Sequence, residues 1–159
     1  MARLINYLDA SAAVRLVLDE PGSGNLREYF DGNVGFHITS LCLGEALGVL
    51  KRKTSKKDYF DKCYVLLAYV RGKPWKINVD EIDLSSSDVF AKAEEIAGRY
   101  KHKIDLSDSL QLVIMKQKFS KPLLITADRE LASAAKKEGV LVWNCELEAV
   151  PPDNALPLS

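Results

Sequence analysis

Short apolar segments alternate with longer amphipathic segments along most of this chain. The short segments are rich in the β-branched and aromatic residues typical of strands, and the longer ones carry apolar residues at helical spacing. The predicted strands are 3–8, 34–38, 75–79, 122–126 and 140–144, and the predicted helices are 10–19, 25–30, 41–53, 56–71, 85–101, 106–118 and 127–139. Strands that alternate with helices favour right-handed crossovers and a parallel sheet covered on both faces. We therefore predict a three-layer α/β/α domain whose mainly parallel sheet has four to five strands.

Size and composition agree with one domain. The chain has 159 residues, of which 47% are hydrophobic, and this is enough for a substantial core. We place the domain at residues 1–148 and expect the tail, 149–159, to be loosely ordered. Lysine and arginine together number 22, as do aspartate and glutamate, so net charge indicates neither a nucleic-acid nor a membrane partner.

Cysteine content and hydropathy bear on where the protein works. The three cysteines are far apart and form no CxxC pair, which argues against a disulfide framework or a thiolate zinc site. The N-terminal apolar run is interrupted at Asn6 and Asp9, and no stretch is long and apolar enough to cross a membrane. We expect a cytoplasmic protein without a membrane segment.

Polar side chains follow several of the predicted strands. Asp9 comes directly after the first strand, Thr39 and Ser40 after the second, and Asp128 shortly after the strand 122–126. The carboxyl ends of parallel strands meet at one edge of the sheet, where ligands of open α/β sheets bind. Residues far apart in the sequence are therefore expected to converge.

Two predicted helices add further acids. Glu45 lies on a helical row between the apolar residues Leu41 and Val49, which is unusual for a purely solvated glutamate. Asp108 lies in the first turn of the helix 106–118, and Asp105 precedes that helix. The sequence barely separates these two aspartates as candidates for the same cleft.

Each acid also has an ordinary structural interpretation. Asp9 and Asp128 can cap the helices that follow them, Asp108 can interact with a helix dipole, and Glu45 can be a partly exposed helical residue. Four carboxylates at one edge are harder to explain in this way, because like charges at short range repel one another. Such a cluster indicates a bound cation, and hard oxygen ligands suit Mg²⁺ or Mn²⁺.

Four motifs, in this order, resemble those of PIN-domain proteins, and the match spans roughly residues 4 to 144. They are YLDASAAVRLVLDEPGS, TSLCLGEALGVLKR, LSDSLQLV and LLITADRELASAAKKEGV. The set is most similar to the VapC-type toxins, metal-dependent ribonucleases that a partner antitoxin inhibits. The resemblance thus implies a PIN-like fold and an endoribonuclease that hydrolyses RNA phosphodiesters.

Carried over residue by residue, the resemblance makes four acids both catalytic and metal-binding. These are Asp9, Glu45, Asp108 and Asp128. It assigns supporting roles around the metal to Ser40 or Thr39, Asp105 and Thr126. Ser109 and Gln111 stand where the family often has Ala and His, but neither position is a metal ligand.

The resemblance also implies partners: an RNA substrate, a cognate antitoxin and a second copy in a homodimer. The basic residues near the expected site are candidates for contacts with the RNA backbone. They are Arg15, Lys51, Arg52, Lys53 and Arg129. The run KRKTSKK is equally consistent with a solvated face, and the neutral net charge leaves the substrate class open.

Two alternatives remain at this point. One is a housekeeping PIN-domain nuclease that processes RNA. The other belongs to a different class, a non-catalytic metal-binding or receiver-like regulatory module. A receiver would need paired acids after the first strand and a lysine after the last, whereas NYLD supplies one acid and VLVWN has no lysine.

Overall fold

The computed structural model describes residues 5–72, 76–83, 85–101, 103–119 and 121–153. The strands are β1 (Ile5–Leu8), β2 (Phe36–Thr39), β3 (Ile77–Asp80), β4 (Pro122–Thr126) and β5 (Leu141–Asn144). The helices are α1 (Ala10–Arg15), α2 (Ser23–Gly32), α3 (Ser40–Lys53), α4 (Lys56–Arg71), α5 (Ser87–Arg99), α6 (Leu106–Lys118) and α7 (Arg129–Lys137). None of these helices is long and apolar enough to span a membrane.

The five strands form one sheet in the order β3-β2-β1-β4-β5. All four neighbouring pairs are parallel, and Ile5 of β1 lies beside Pro122 of β4. The chain first builds outward from β1 to β3 and then continues on the other side of β1 with β4 and β5. The junction of β1 and β4 is therefore the point where the strand order reverses, and ligands of such sheets bind outside this point.

Side chains of alternating strand positions divide the interior into two apolar cores. Leu8, Leu123 and Ile125 pack on one face of the sheet with residues of α1 to α4. Tyr7 and Leu124 pack on the other face with residues of α5, α6 and α7. This confirms the predicted α/β/α layering and the predicted parallel sheet.

The first two helices differ most from the prediction. Helix α1 ends at Arg15 instead of residue 19, because Leu16 and Val17 donate to carbonyls three residues back and tighten the chain into a turn. Helix α2 begins at Ser23, within the segment that was expected to be a loop. The Ser23 hydroxyl donates to the Leu18 carbonyl at 2.7 Å and accepts from the Glu20 amide at 2.9 Å, which holds this tight connection.

Glycines follow two of the predicted helices. Gly72 ends α4 as predicted, and Gly139 follows α7 with φ of +79°, the left-handed conformation typical after a helix. Residues 3, 4, 74, 75 and 154–159 lie outside the described residues. Within the described part, Cys42, Cys63 and Cys145 are buried and free, as the sequence indicated.

Candidate active site

A cavity of about 350 Å³ opens at the carboxyl edge of the sheet, beside the junction of β1 and β4. Six carboxylates line it, together with small, apolar and basic residues. Glu20 pairs with Arg15 and Lys53, and the other five are Asp9, Glu45, Asp105, Asp108 and Asp128. The expected convergence of the acids therefore occurs, and we call this space the acid cavity.

Asp9 forms the floor of the acid cavity. It caps α1 directly after β1 and is only 4% exposed. Its Oδ2 accepts hydrogen bonds from the Ser11 hydroxyl at 2.7 Å and from the Thr126 hydroxyl at 3.0 Å. Among the described residues, no Lys, Arg or His nitrogen lies within 4 Å of the Asp9 carboxylate. The buried carboxylate is thus stabilised by hydroxyl groups and by the Ser11 amide.

The two hydroxyl groups also join the ends of β1 and β4. Ser11 Oγ accepts from the Ala127 amide at 2.9 Å, and Thr126 Oγ1 accepts from the Asp128 amide at 3.0 Å. These contacts fix the chain that carries Asp128 relative to Asp9. Thr126 was predicted from the resemblance, whereas Ser11 was not, although its place two residues after Asp9 was the available signal.

Two of the rim acids are helix caps, as the ordinary interpretation proposed for Asp128 but not for Asp105. Asp128 Oδ1 accepts from the Glu130 and Leu131 amides at the start of α7, at 2.9 and 3.1 Å. Asp105 Oδ1 accepts from the Asp108 amide at the start of α6, at 2.9 Å. Capping and membership of the acid cavity therefore coexist, because both caps lie at the carboxyl edge of the sheet.

Glu45 and Asp105 share one hydrogen-bond donor. Ser107 Oγ contacts Glu45 Oε1 and also lies 2.9 Å from Asp105 Oδ1. The contact links α3 to the start of α6 across the cavity mouth. Sequence reasoning missed Ser107, whose position between Asp105 and Asp108 was the only indication of its role.

The electrostatics of the acid cavity disfavour negative charge. Burial, together with repulsion from Asp9, Asp105 and Asp128, raises the pKa of Asp108 to about 8. Burial likewise raises the pKa of Glu45, with added repulsion from Asp105 and Asp9, while the Ser107 hydrogen bond lowers it. The pKa of Asp9 is raised by burial, against the lowering effect of its hydrogen bonds from Ser11 and Thr126.

Gln111, which sequence reasoning also missed, lies beneath the acid cavity. Gln111 is fully buried, and its amide nitrogen donates to the Leu8 carbonyl at 3.4 Å, next to Asp9. Its amide oxygen accepts from the buried Cys42 thiol at 3.5 Å. A glutamine within the otherwise apolar run of α6 was the sequence signal for this packing role.

The predicted hydroxyl position after β2 lies away from the acids. Thr39 is fully buried and caps α3 by accepting from the Cys42 amide at 3.0 Å. Ser40 is exposed as the first residue of α3. Neither residue lines the acid cavity.

The basic residues predicted near the site differ in whether carboxylates already pair with them. Arg15 lines the cavity but is mostly buried, and its guanidinium donates to the Pro21 and Ser11 carbonyls and pairs with Glu20 and Glu146. Its side chain holds the α1–α2 connection, which the sequence did not reveal.

Three exposed cations lie at the end of α3. Arg52 and Lys53 line the acid cavity, and Lys53 pairs with Glu20. Arg52 has no carboxylate within 4 Å in the described part of the chain. Lys51 is exposed next to them, and Arg129 is exposed at the start of α7. Among the described residues, Arg52 is thus the cation that lines the acid cavity without a carboxylate partner.

The donor set is of the type that hard cations prefer. Six carboxylates line one cavity, and the repulsion among them would be relieved by a divalent ion. In the described residues, no group of three or more acidic, histidine or cysteine side chains is already arranged to hold a metal ion. The chemistry of the donors therefore fits Mg²⁺ or Mn²⁺, although the ligands are not preassembled.

Comparisons with known proteins agree with this architecture. The crystal structure of Mycobacterium tuberculosis VapC20, described as a sarcin-ricin loop cleaving toxin, superposes with a TM-score of 0.64 at 15% identity, over 81% of this chain and 94% of that one. PAE2754 from Pyrobaculum aerophilum superposes with a TM-score of 0.59 at 17% identity, over 87% and 89%. At these identities the likeness concerns the fold.

A search of curated protein sequences found no significant match. The family model of the PIN domain, a nuclease family, matches residues 7–137, which include all six acids of the cavity. This match, over most of the sequence, agrees with the topology and with the four sequence motifs. The chain therefore belongs to the PIN domain family.

Proposed function

We propose that this PIN domain is a metal-dependent endoribonuclease and the toxin of a toxin–antitoxin pair. The observation that carries the proposal is the convergence of six carboxylates on one cavity, around a buried Asp9 that has no cationic partner among the described residues. The similar fold of VapC20, whose crystal structure is described as that of an RNA-cleaving toxin, supports the choice of substrate and biological role.

In the proposed site, Asp9, Glu45, Asp108 and Asp128 hold Mg²⁺ or Mn²⁺, and Asp105 supports them. When bound, the ion activates water for attack on a phosphodiester and stabilises the charge that develops on the phosphate. The acids thus hold the metal and need not contact the RNA.

The chain's own residues orient and neutralise the reacting groups. Ser11 and Thr126 fix the Asp9 carboxylate through two hydrogen bonds, so that one ligand is held in place before RNA binds. Arg52 lies in the wall of the cavity with its charge free to pair with a phosphate. Without a cation, the raised pKa of Asp108 keeps a proton on its carboxyl group near neutral pH.

The direct test is cleavage of RNA. Purified protein is expected to cut a single-stranded RNA in Mg²⁺ or Mn²⁺, and EDTA is expected to stop the reaction because it removes the ion from the carboxylates. Product formation resolved on a denaturing gel is the measurement. Cleavage that continues in EDTA would contradict the metal-dependent mechanism, and absence of cleavage in either ion would contradict the nuclease.

The proposed partners are a second copy of the chain and an antitoxin that covers the acid cavity with a basic side chain. We expect a homodimer at micromolar concentration by size exclusion with light scattering, and a mass equal to one chain would contradict it. Expression of the wild-type chain should arrest bacterial growth, and co-expression of the neighbouring gene's product should restore it. Growth without arrest would favour a housekeeping nuclease.

A further inference from the structure

A second cavity lies between the end of α3 and the start of α4. It has a volume of about 400 Å³ and is lined by Lys51, Thr54, Lys56, Tyr59 and Phe60. We call it the aromatic cavity. It contains none of the acids of the proposed catalytic site, so the nuclease chemistry does not account for it.

Of the two aromatic residues of this cavity, Phe60 is exposed and Tyr59 is half-buried. Phe60 is 61% exposed, although most phenylalanine side chains of this protein are buried or packed on a core. Tyr59 packs with one part against the core and lies beside Phe60, with ring centroids 5.5 Å apart and an interplanar angle of 58°. The two rings therefore present a tilted apolar wall to solvent.

Positive charge surrounds this wall. Residues 51–62 contain six lysine or arginine residues and two aspartates, in a chain whose net charge is zero. Lys51 and Lys56 are exposed on the rim of the aromatic cavity itself. Exposed aromatic rings among cations are the combination that binds single-stranded nucleic acid, because the rings stack on bases and the cations pair with phosphates.

The end of α3 contributes side chains to both the aromatic cavity and the acid cavity. Lys51 and Thr54 line the aromatic cavity, whereas Arg52 and Lys53, between them in the sequence, line the acid cavity. Consecutive helical residues advance by about 1.5 Å along the axis and turn by about 100°, so these residues lie within about one turn of the axis but on different faces. A strand that passes from one opening to the other would run past Lys51, Arg52 and Lys53 at the end of α3.

We propose that the aromatic cavity binds an unpaired base of single-stranded RNA whose backbone passes Arg52 to the acid cavity. This inference rests on the proposed function and adds to it a substrate class, RNA with an unstacked base near the cut. A protein partner at the same surface would have to desolvate Lys51 and Lys56 when it buried Phe60, whereas an RNA strand pairs these charges with its own phosphates.

The experiment measures binding in EDTA, so that it does not depend on cleavage. The probes are 12-nucleotide single-stranded RNAs with 2-aminopurine at one position each, and affinity is read by anisotropy of a terminal dye. With the wild type, 2-aminopurine fluorescence should be quenched at one or two positions, because the base stacks on Phe60. Phe60→Ala should lose that quenching and bind about tenfold more weakly, and Phe60→Trp should restore both.

The chain offers a matched control for each variant. Tyr64→Ala removes a ring that is 77% exposed on the same helix but does not line the aromatic cavity, and it should leave both readouts unchanged. Lys56→Gln should reduce the slope of log affinity against log salt by roughly 0.7, as expected for one phosphate contact. Lys92→Gln, which removes the same charge from α5 in the opposite layer, should leave the slope unchanged.

The outcomes separate this inference from the proposed function. Phe60-dependent quenching in a protein that never cleaves RNA would support the base site and contradict the nuclease. Metal-dependent cleavage in which Phe60→Ala and Tyr64→Ala both behave like the wild type would overturn the base site alone. If both variants instead change the mass seen by light scattering without altering RNA affinity, the surface binds protein and the inference fails. Absence of RNA binding by the wild type would also overturn it.

Discussion

Two aspartates at the same edge of the sheet have opposite surroundings. Asp80, the last residue of β3, accepts from the Tyr7 hydroxyl at 3.1 Å and lies 2.9 Å from His37 Nδ1 and 3.4 Å from Lys118 Nζ. Asp9, directly after β1, accepts from two hydroxyl groups and has other acids around it. Both side chains are largely buried, so burial alone does not distinguish them.

The difference shows that this edge of the fold can neutralise a buried aspartate. At Asp80, the Lys118 ammonium supplies an opposite charge, His37 and Tyr7 supply hydrogen-bonding contacts, and the rings of Tyr7, His37 and Phe119 pack against one another. Nothing comparable balances Asp9 in the described residues, and Asp108 and Glu45 repel it. Such an arrangement costs stability unless a ligand supplies the missing charge, and this argues for a role beyond structure.

The largest expected effect separates the two aspartates by activity. Asp9→Asn should lower RNA cleavage by at least about a hundredfold while the chain stays folded, because a metal ligand is lost. Asp80→Asn should cleave nearly as well as the wild type but lose about 1 to 3 kcal/mol of unfolding free energy, because its hydrogen bonds to charged groups are weakened. Initial cleavage rates and urea unfolding measure the two effects, and undiminished cleavage by Asp9→Asn would reject its assignment.

A second prediction concerns stability in the absence of metal. The pKa of Asp108 is about 8 in the folded chain and about 3.9 in the unfolded chain. The native state therefore holds more protons between these values, and stability should fall as pH rises from about 4 to about 8. Asp108→Asn should remove this fall and melt higher than the wild type in EDTA near neutral pH.

Mn²⁺ should reverse the order of the melting temperatures of the wild type and Asp108→Asn. An ion that binds only the native state stabilises it by about 2.7 kcal/mol at a hundredfold excess over its dissociation constant, so Mn²⁺ should raise the melting temperature of the wild type more than that of Asp108→Asn. Asp80→Asn is the matched control and should respond to Mn²⁺ like the wild type. Melting temperatures that do not change with Mn²⁺ in any of the three proteins would reject a shared metal site.

The smallest expected effect tests the hydroxyl groups around Asp9. Thr126→Val keeps the shape of the side chain but removes the donor 3.0 Å from Asp9 Oδ2. Because such donors orient metal ligands, Mn²⁺ affinity should fall about tenfold, the lower end of the range for an outer partner. Isothermal titration calorimetry gives the affinity, and an unchanged value would mean that Ser11 alone orients Asp9.

Sequence periodicity was sufficient for most of the fold, and less so for local contacts. The strands and helices α3 to α7 follow from apolar spacing, and the convergence of the acids follows from the parallel order of the strands. The contacts at the end of α1 were not predictable, since Arg15 there donates to the Pro21 carbonyl and to Glu146, which is 131 residues away. Ser11, Ser107 and Gln111 were missed for the same reason, because their partners lie on other elements.

The pairing of β1 with β4 has a consequence for when the acid cavity forms during synthesis. The Asp9 carboxylate and the Thr126 hydroxyl are 117 residues apart in the sequence. Contacts of this separation form late, because a long loop must close before they contribute. On a ribosome that adds about 5 to 20 residues per second, the Asp9 segment emerges several seconds before the strand that completes its surroundings. A chain released before residue 122 therefore has Asp9 without Thr126 or Asp128, and truncated products of this gene should be harmless.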